Sequence, residues 1–294
     1  MYQGRRAGQS AVAGIAIAAV LWLAASASLQ AQTSPSDSKF QIAYLRPDSP
    51  ALKPVEALVK EHRILEHIQS SMAFVQLPRP LLLRFGECKD EDAWYDPNEH
   101  VVSFCYELVA HIQRIAPRHL QADIEREDAL LGSVYFSFLH EIAHAMFDML
   151  ELPVLGREED AADQLAAYTL LVLLDKPLAR RMIGGAAWMW AQEARSDEPD
   201  RGDLADVHSL SAQRFFNLLC IAYGSDPTTF SVVTEKGYLP SDRAEGCRYE
   251  YKRLSFAVQK LFAGHVDHAL LEDIREHYRK HPGNAAAGDT RSAQ

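Results

Sequence analysis

The chain is poor in basic residues and in cysteine, and both shortages argue against particular classes of protein. Its 294 residues carry 30 Lys and Arg against 40 Asp and Glu, which gives a formal net charge of −10. Because this acidic background contains no basic stripe, we expect no nucleic-acid partner. The 4 cysteines include no CxxC pair, which disfavours a zinc site built from cysteines alone. No internal repeat is present, so repeat architectures are also disfavoured.

The N-terminal segment predicts export. Two arginines precede an uncharged apolar run, Ala11–Ala25, and small residues at 25–27 offer a signal-peptidase site. We therefore predict a signal peptide over residues 1–27, a flexible leader over 28–39, and a periplasmic or secreted protein. The alternative is that the segment stays uncleaved and anchors the chain in a membrane. No cysteine lies near the cleavage region, so a lipoprotein anchor is not expected.

Four cysteines in an exported protein predict two disulfides, although four cysteines allow three connectivities. Cys88 and Cys105 each follow a strand-like run, and a turn signal lies between the two runs. We expect these runs to form an antiparallel hairpin or neighbouring strands, which favours a Cys88–Cys105 pair. Cys220 and Cys247 then pair by elimination.

Hydrophobic periodicity predicts an α+β fold over residues 40–281, followed by a disordered tail over 282–294. A small sheet is expected first, then a central helix, then a mainly helical C-terminal half. The expected strands are 40–45, 81–85 and 101–104, and the expected helices are 54–74, 106–115, 129–150, one that opens at the acidic cluster after Gly156, 211–223, 242–262 and 268–280.

The most informative motif is His140-Glu141-Ile142-Ala143-His144, an HExxH pattern inside the predicted 129–150 helix. Residues four apart share one face of a helix, so both imidazoles can reach one Zn²⁺. Glu141 then lies within reach of a water on that ion and can act as a general base. A pair of ordinary core histidines is the alternative, but a glutamate beside buried histidines is costly without a cation.

A catalytic zinc ion usually takes a third protein ligand. A metzincin would have a histidine at position 150, which is Leu150 here. Glu159 to Asp163 instead matches the ExxAD pattern of several gluzincins, in which the glutamate binds zinc and the aspartate orients a ligand histidine. We therefore favour Glu159 as the third ligand, with Glu158 as the alternative. Asp163 is then expected to orient a ligand histidine. The explanation without a metal is that these acidic residues only stabilise the N-terminus of a helix, where the helix dipole favours negative charge.

The chain resembles a bacterial family of zincin-type metallopeptidases of unknown substrate. The resemblance rests on HEIAHAMFDMLELPVLGREEDAADQLA, residues 140–166, with support from LRFGECKDEDAWYDPNEHVVSFCYEL before it and HSLSAQRFFNLLCIAYGSDP after it. It covers the chain from about Leu81 to Phe262. The resemblance implies a zincin-like metallopeptidase domain and no particular substrate; we expect the partner to be a peptide or protein substrate.

The expected mechanism needs a donor that stabilises the oxyanion of the transition state. His208 is the first candidate, followed by Tyr223 and Tyr168, whereas Arg214 is interpreted as part of a structural ion pair. Zincins commonly bind an extended peptide along an edge strand. Val101–Cys105 is our candidate for that strand, with an interior strand as an equal alternative.

Two other functions remain open from the sequence. One is a zinc-stabilised binding protein without turnover, although Glu141 would then have no purpose. The other is a zinc hydrolase of a non-peptide amide, such as a cell-wall substrate, because peptidases and such amidases need the same zinc, water and base.

Overall fold

The computed structural model describes residues 39–116, 125–195 and 199–281. The predicted signal peptide, the leader up to residue 38 and the tail from residue 282 lie outside the described residues. The strands are β1 (Phe40–Tyr44), β2 (Leu81–Gly86), β3 (Ala93–Asp96) and β4 (Val101–Cys105). The helices are α1 (Lys53–Glu61), α2 (Ile64–Met72), α3 (Tyr106–Ile115), α4 (Arg126–Met149), α5 (Glu158–Leu173), α6 (Lys176–Glu193), α7 (Arg201–Ala205), α8 (Ser211–Ser225), α9 (Val232–Glu235), α10 (Ser241–Leu261) and α11 (His268–Lys280). The predicted α+β class, with a helical C-terminal half, is confirmed.

The four strands form one mixed sheet in the order β1-β2-β4-β3. β1 and β2 are parallel, β2 and β4 are parallel, and β3 runs antiparallel to β4. The runs at 81–85 and 101–104 are therefore neighbours, as predicted, but they do not form an antiparallel hairpin with each other. The hairpin partner of β4 is β3, which is not predicted from the sequence. A strand of four residues, half-exposed along its length, is too short to show a period-2 pattern.

The expectation that Val101–Cys105 is the edge strand is wrong. β4 is paired on both sides, and all five of its residues are buried. Its burial on both faces explains the mainly apolar run, interrupted by Ser103, that predicted a strand. The edge strand on this side of the sheet is β3, and it packs against α4.

Two helical predictions also need correction. The single helix expected over 54–74 is two helices, because Arg63 adopts a left-handed conformation with φ of 48° between α1 and α2. Helix α6 was not anticipated, since its two adjacent glycines lower the intrinsic helix propensity of the segment. One of those glycines has a packing role: a Cβ on Gly185 would lie 1.9 Å from the carbonyl oxygen of Asp128. α4 and α6 therefore contact each other backbone to backbone, which fixes α4 within the core.

Two disulfides close the fold, with the pairing predicted from the sequence. Cys88 is bonded to Cys105, with Cα atoms 5.4 Å apart, and Cys220 to Cys247, with Cα atoms 5.0 Å apart. The first bond ties the loop before β3 to the end of β4, and the second joins α8 to α10. Across the described residues, no helix has both the length and the apolar character needed to cross a bilayer.

Candidate metal centre

Helix α4 presents both histidines of the HExxH pattern to the same point. His140 and His144 are one turn apart, and their Nε2 atoms lie 3.1 Å from each other. His140 is buried, with 5% of its surface exposed, while His144 lies at the edge of a cleft. Both histidines lie within a regular helix of 24 residues, which fixes the relative positions of their backbone atoms.

Helix α5 brings a carboxylate to this point. Glu159 Oε2 lies 3.0 Å from Nε2 of His140 and 3.3 Å from Nε2 of His144. Donor atoms about 2.05 Å from a tetrahedral Zn²⁺ are separated by about 3.3 Å. The three atoms therefore already have nearly the mutual spacing of ligands on one ion.

Protons alone satisfy this triangle of atoms only at an electrostatic cost. The carboxylate oxygen is an acceptor, so both Nε2 atoms would have to donate to it. Two N–H groups that converge on one oxygen would then face each other at 3.1 Å. A divalent cation shared by all three atoms removes the conflict, because each atom presents a lone pair to it. The donor set of His140, His144 and Glu159 thus fits a metal ion.

The outward-facing nitrogens of both rings are held by further carboxylates. His140 Nδ1 donates to Asp163 Oδ1 at 2.8 Å, and His144 Nδ1 donates to Glu158 Oε1 at 2.7 Å. Such contacts fix the tautomer that leaves Nε2 available for a metal. Glu158, the alternative ligand from sequence, therefore contacts the far side of His144, whereas Glu159 contacts the shared point.

The pKa values of the cluster follow from these contacts. Burial lowers the pKa of each histidine, but hydrogen bonds to the carboxylates outweigh it and raise the pKa of His144 to about 9 and that of His140 above its ordinary value. For Glu159 and Asp163, burial raises the pKa, and hydrogen bonds from the histidines lower it overall. Without a metal, these hydrogen bonds therefore favour the positively charged form of both histidines and the negatively charged form of both acids.

Glu141 differs from the other acids of the cluster. Burial raises the pKa of its carboxyl group, partly offset by the neighbouring histidines. Its carboxylate makes no hydrogen bond or ion pair with any of the described residues, and it lines the same cleft as His144. A carboxylate in this position remains available to accept a proton from a molecule in the cleft.

The cleft has a volume of about 780 Å³ and runs between β3 and the start of α5. β3 contributes Ala93, Trp94 and Tyr95 to one wall, and Trp94 is 36% exposed. The remaining lining residues are Asp92, Pro97, Glu141, His144, Phe147, Asp148, Leu152, Val154, Glu158, Glu159 and His208. An extended chain lying in this cleft would therefore pass between an edge strand and the candidate metal centre.

His208, the first candidate for the oxyanion donor, reaches the cluster itself. Its Nε2 lies 3.1 Å from Glu159 Oε2, and its Nδ1 lies 2.9 Å from Asp206 Oδ1. The hydrogen bond with Glu159 raises the pKa of His208. Ligand atoms of His140, Glu159 and His208 all lie within 4.8 Å of one another. The segment before α8 thus adds a third imidazole, which is half-exposed at the cleft.

The other two candidates for that donor do not lie in the cleft. Tyr168 lines a separate apolar cavity and contacts Ser255, and Tyr223 packs against the hydrophobic core. Neither Trp94 nor the role of Glu158 as partner of His144 is predicted from the sequence. Only the proximity of β3 to α4 and the exact start of α5 bring them to the site, and neither leaves a local signal in the sequence.

Comparison with known proteins gives a family. Residues 44–262 match the model of the family DUF4344, which is described as "Putative metallopeptidase". No curated protein and no solved structure matched the chain. Since the matched region covers more than half of the chain and includes every residue of the candidate metal centre, the protein belongs to this metallopeptidase family.

Proposed function

We propose that this protein is an exported, zinc-dependent peptidase of the gluzincin type, with His140, His144 and Glu159 as the residues that hold Zn²⁺. The observation that carries the proposal is the triangle of Nε2, Nε2 and Oε2 atoms, whose mutual spacing of 3.0 to 3.3 Å is close to that of ligands on one Zn²⁺. Imidazole and carboxylate donors in this number are typical of catalytic zinc sites, which keep one position for water.

Bound Zn²⁺ would polarise the scissile carbonyl and lower the pKa of its water towards about 7. Glu141 accepts the proton of that water as the water attacks, and then delivers the proton to the leaving amine. Its place in the cleft, without a hydrogen-bond partner among the described residues, leaves its carboxylate available for both steps. We assign His208, whose Nε2 lies at the cleft 3.1 Å from Glu159 Oε2, as the donor to the substrate oxygen on which negative charge develops.

Substrate positioning is assigned to β3. Its outer edge has no strand partner among the described residues, so its backbone N–H and C=O groups can pair with an extended peptide. Trp94 and Tyr95 lie on the wall of the same cleft as Glu141. The strand that binds substrate in this proposal is thus β3, in place of β4.

Export is supported by the two disulfides. Disulfides form and persist in oxidising compartments such as the bacterial periplasm. Both bonds stabilise elements next to the site, since one ends at β4 and the other joins the helix that follows His208. We therefore retain the periplasm or the extracellular space as the proposed location.

A zinc-stabilised binding protein is the second candidate function. It is favoured by His208, because His140, His144, Glu159 and His208 together supply four donor atoms. A zinc site closed by four protein ligands is usually structural and has no position for a reactive water. The presence of Glu141 in the cleft favours the enzyme.

The test of the peptidase proposal is hydrolysis of a broad peptide library by the mature, zinc-loaded protein. We expect cleavage products in mass spectra, loss of cleavage after chelation, and recovery when Zn²⁺ is returned. A peptidoglycan substrate assayed in parallel separates peptidase from cell-wall amidase activity. A folded, zinc-loaded protein that cleaves neither substrate would favour the binding function.

Zinc binding should also release protons near neutral pH. The raised pKa of His144, about 9, means that its ring is protonated at pH 7 in the metal-free protein. Metal ligands must be deprotonated, so binding displaces at least this proton and tightens as the pH rises from 6 to 9. Because folding raises the pKa of His144, this residue also stabilises the metal-free fold. Its contribution is fully present below its ordinary pKa and is lost as the pH rises through about 9. Calorimetry in buffers of different ionisation enthalpy measures the release; a binding heat that is identical in all buffers would contradict it.

A further inference from the structure

We infer that Arg214 is a positioning residue of the metal centre: it fixes the Asp163 carboxylate and, through it, the orientation and tautomer of His140. The inference rests on the proposed metal site and extends it to a residue that the sequence motif does not contain. Arg214 lies in the first turns of α8, 51 residues after Asp163, with which it forms an ion pair.

The ion pair between Arg214 and Asp163 uses both oxygens of the carboxylate. Arg214 Nε donates to Oδ2 at 2.7 Å, and its Nη2 donates to Oδ1 at 2.7 Å. The same Oδ1 accepts the hydrogen bond from His140 Nδ1 at 2.8 Å. Because a guanidinium that binds both oxygens sets the plane of the carboxylate, it also sets the direction from which His140 is held.

The guanidinium is itself held from the opposite side. Its central carbon lies 3.6 Å from the ring centroid of Trp190 on α6. The Trp190 indole N–H is buried and has no hydrogen-bond partner among the described residues, so its burial costs stability. The Trp190 ring provides a flat surface against which the Arg214 guanidinium stacks. The side chain of Arg214 is 11% exposed, so it has little freedom to leave this position.

The chain around Arg214 is also attached to α5. Ser209 Oγ donates to Asp160 Oδ1 at 2.7 Å, and Arg157 donates to the carbonyl oxygen of His208 at 3.1 Å. These contacts hold the segment that leads into α8 along the first two turns of α5. Arg214 follows this segment and binds Asp163, and through Asp163 it connects α8 to His140 on α4.

Loss of the guanidinium would change the metal site in a defined way. Asp163 is largely buried, and without Arg214 its carboxylate would keep His140 as its one side-chain partner among the described residues. A side chain held by one contact can rotate, and His140 would then lose the acceptor that keeps the proton on Nδ1 and leaves Nε2 for the metal. Replacement of such outer partners typically weakens metal binding by about 10- to 100-fold.

The experiment measures Zn²⁺ affinity by competition with a chelating dye, together with the melting temperature of the metal-free protein. The variants are Arg214→Met and Arg214→Lys, and the matched control is Arg181→Met. Arg181 also lies in a helix that packs on α4, and it pairs with the buried Asp128 at 2.6 Å. Asp128 precedes His140 by about 18 Å along α4. Removal of that pair should destabilise the fold and leaves every contact of the metal centre in place.

We expect Arg214→Met to weaken Zn²⁺ binding by about 10- to 100-fold, and Arg214→Lys to weaken it by less, since lysine keeps the charge but cannot bind both oxygens. Arg181→Met should lower the melting temperature and keep the Zn²⁺ affinity within about twofold of the parent. Parental affinity in Arg214→Met, or equal losses in Arg181→Met, would overturn the inference. If Arg214→Met fails to fold, parental affinity in Arg214→Lys overturns it. A parent protein that does not bind Zn²⁺ would instead refute the proposed function.

Discussion

Glu141→Gln is expected to lower the rate of peptide hydrolysis by about 100-fold or more while leaving Zn²⁺ bound. Glutamine keeps the shape of the side chain but cannot accept the proton of the attacking water. Among the described residues, Glu141 forms no hydrogen bond with His140, His144 or Glu159. Its replacement should therefore leave the zinc affinity nearly unchanged. Steady-state hydrolysis of a peptide that the parent cleaves, with zinc content measured on the same sample, provides the test.

The control for Glu141→Gln is its zinc content, since a variant that had lost metal would be inactive for another reason. Retained zinc with hydrolysis at the parental rate would show that Glu141 is not the base.

Burial raises the pKa of the Glu141 carboxyl group, and a raised pKa is typical of a carboxylate poised to exchange protons near neutral pH.

Glu159→Gln should have the opposite profile, with zinc affinity as the property that changes most. Glu159 Oε2 contacts Nε2 of both His140 and His144, so the amide would replace a charged ligand with a weak neutral one. We expect a loss of affinity greater than the roughly 100-fold upper value for residues that only orient ligands. Activity should fall through loss of metal, and high Zn²⁺ concentrations should restore part of it.

Glu158→Gln is the matched control for Glu159→Gln, because Glu158 is adjacent and contacts His144 Nδ1. Its substitution removes an orienting partner, so the expected loss of affinity is about 10- to 100-fold. If Glu158→Gln proved more damaging to zinc binding than Glu159→Gln, the two residues would have to exchange roles. Titration of all three proteins with Zn²⁺ against the same chelator decides between them.

The parts of the site that lie close together in the sequence were predictable from it. Helical geometry alone places His140 and His144 on one face, and the ExxAD spacing places Glu159 and Asp163 one turn apart on the next helix. The structure brings these four side chains together at contacts of 2.8 to 3.3 Å. The disulfide pairing was likewise predictable from the strand-like runs before Cys88 and Cys105.

What the sequence did not disclose depends on contacts between distant segments. β3 is a short edge strand whose role comes from pairing with β4 and packing on α4. Arg214 was interpreted correctly as part of an ion pair, but its partner Asp163 lies on another helix, and no local pattern identifies it. Gly185 of α6 lies where close packing on α4 overrides helix propensity, and the left-handed Arg63 divides a segment that the sequence predicted as one helix.

The most direct test of the central claim is the metal content of the purified mature protein, compared with that of the double variant His140→Ala with His144→Ala. Mass spectrometry of the parent for metals should find about one Zn²⁺ per chain. The variant, shown to be folded by circular dichroism, should contain essentially none. Zinc retained in full by the folded variant would contradict the proposed centre, as would a parent protein that purifies without metal and does not take up added Zn²⁺.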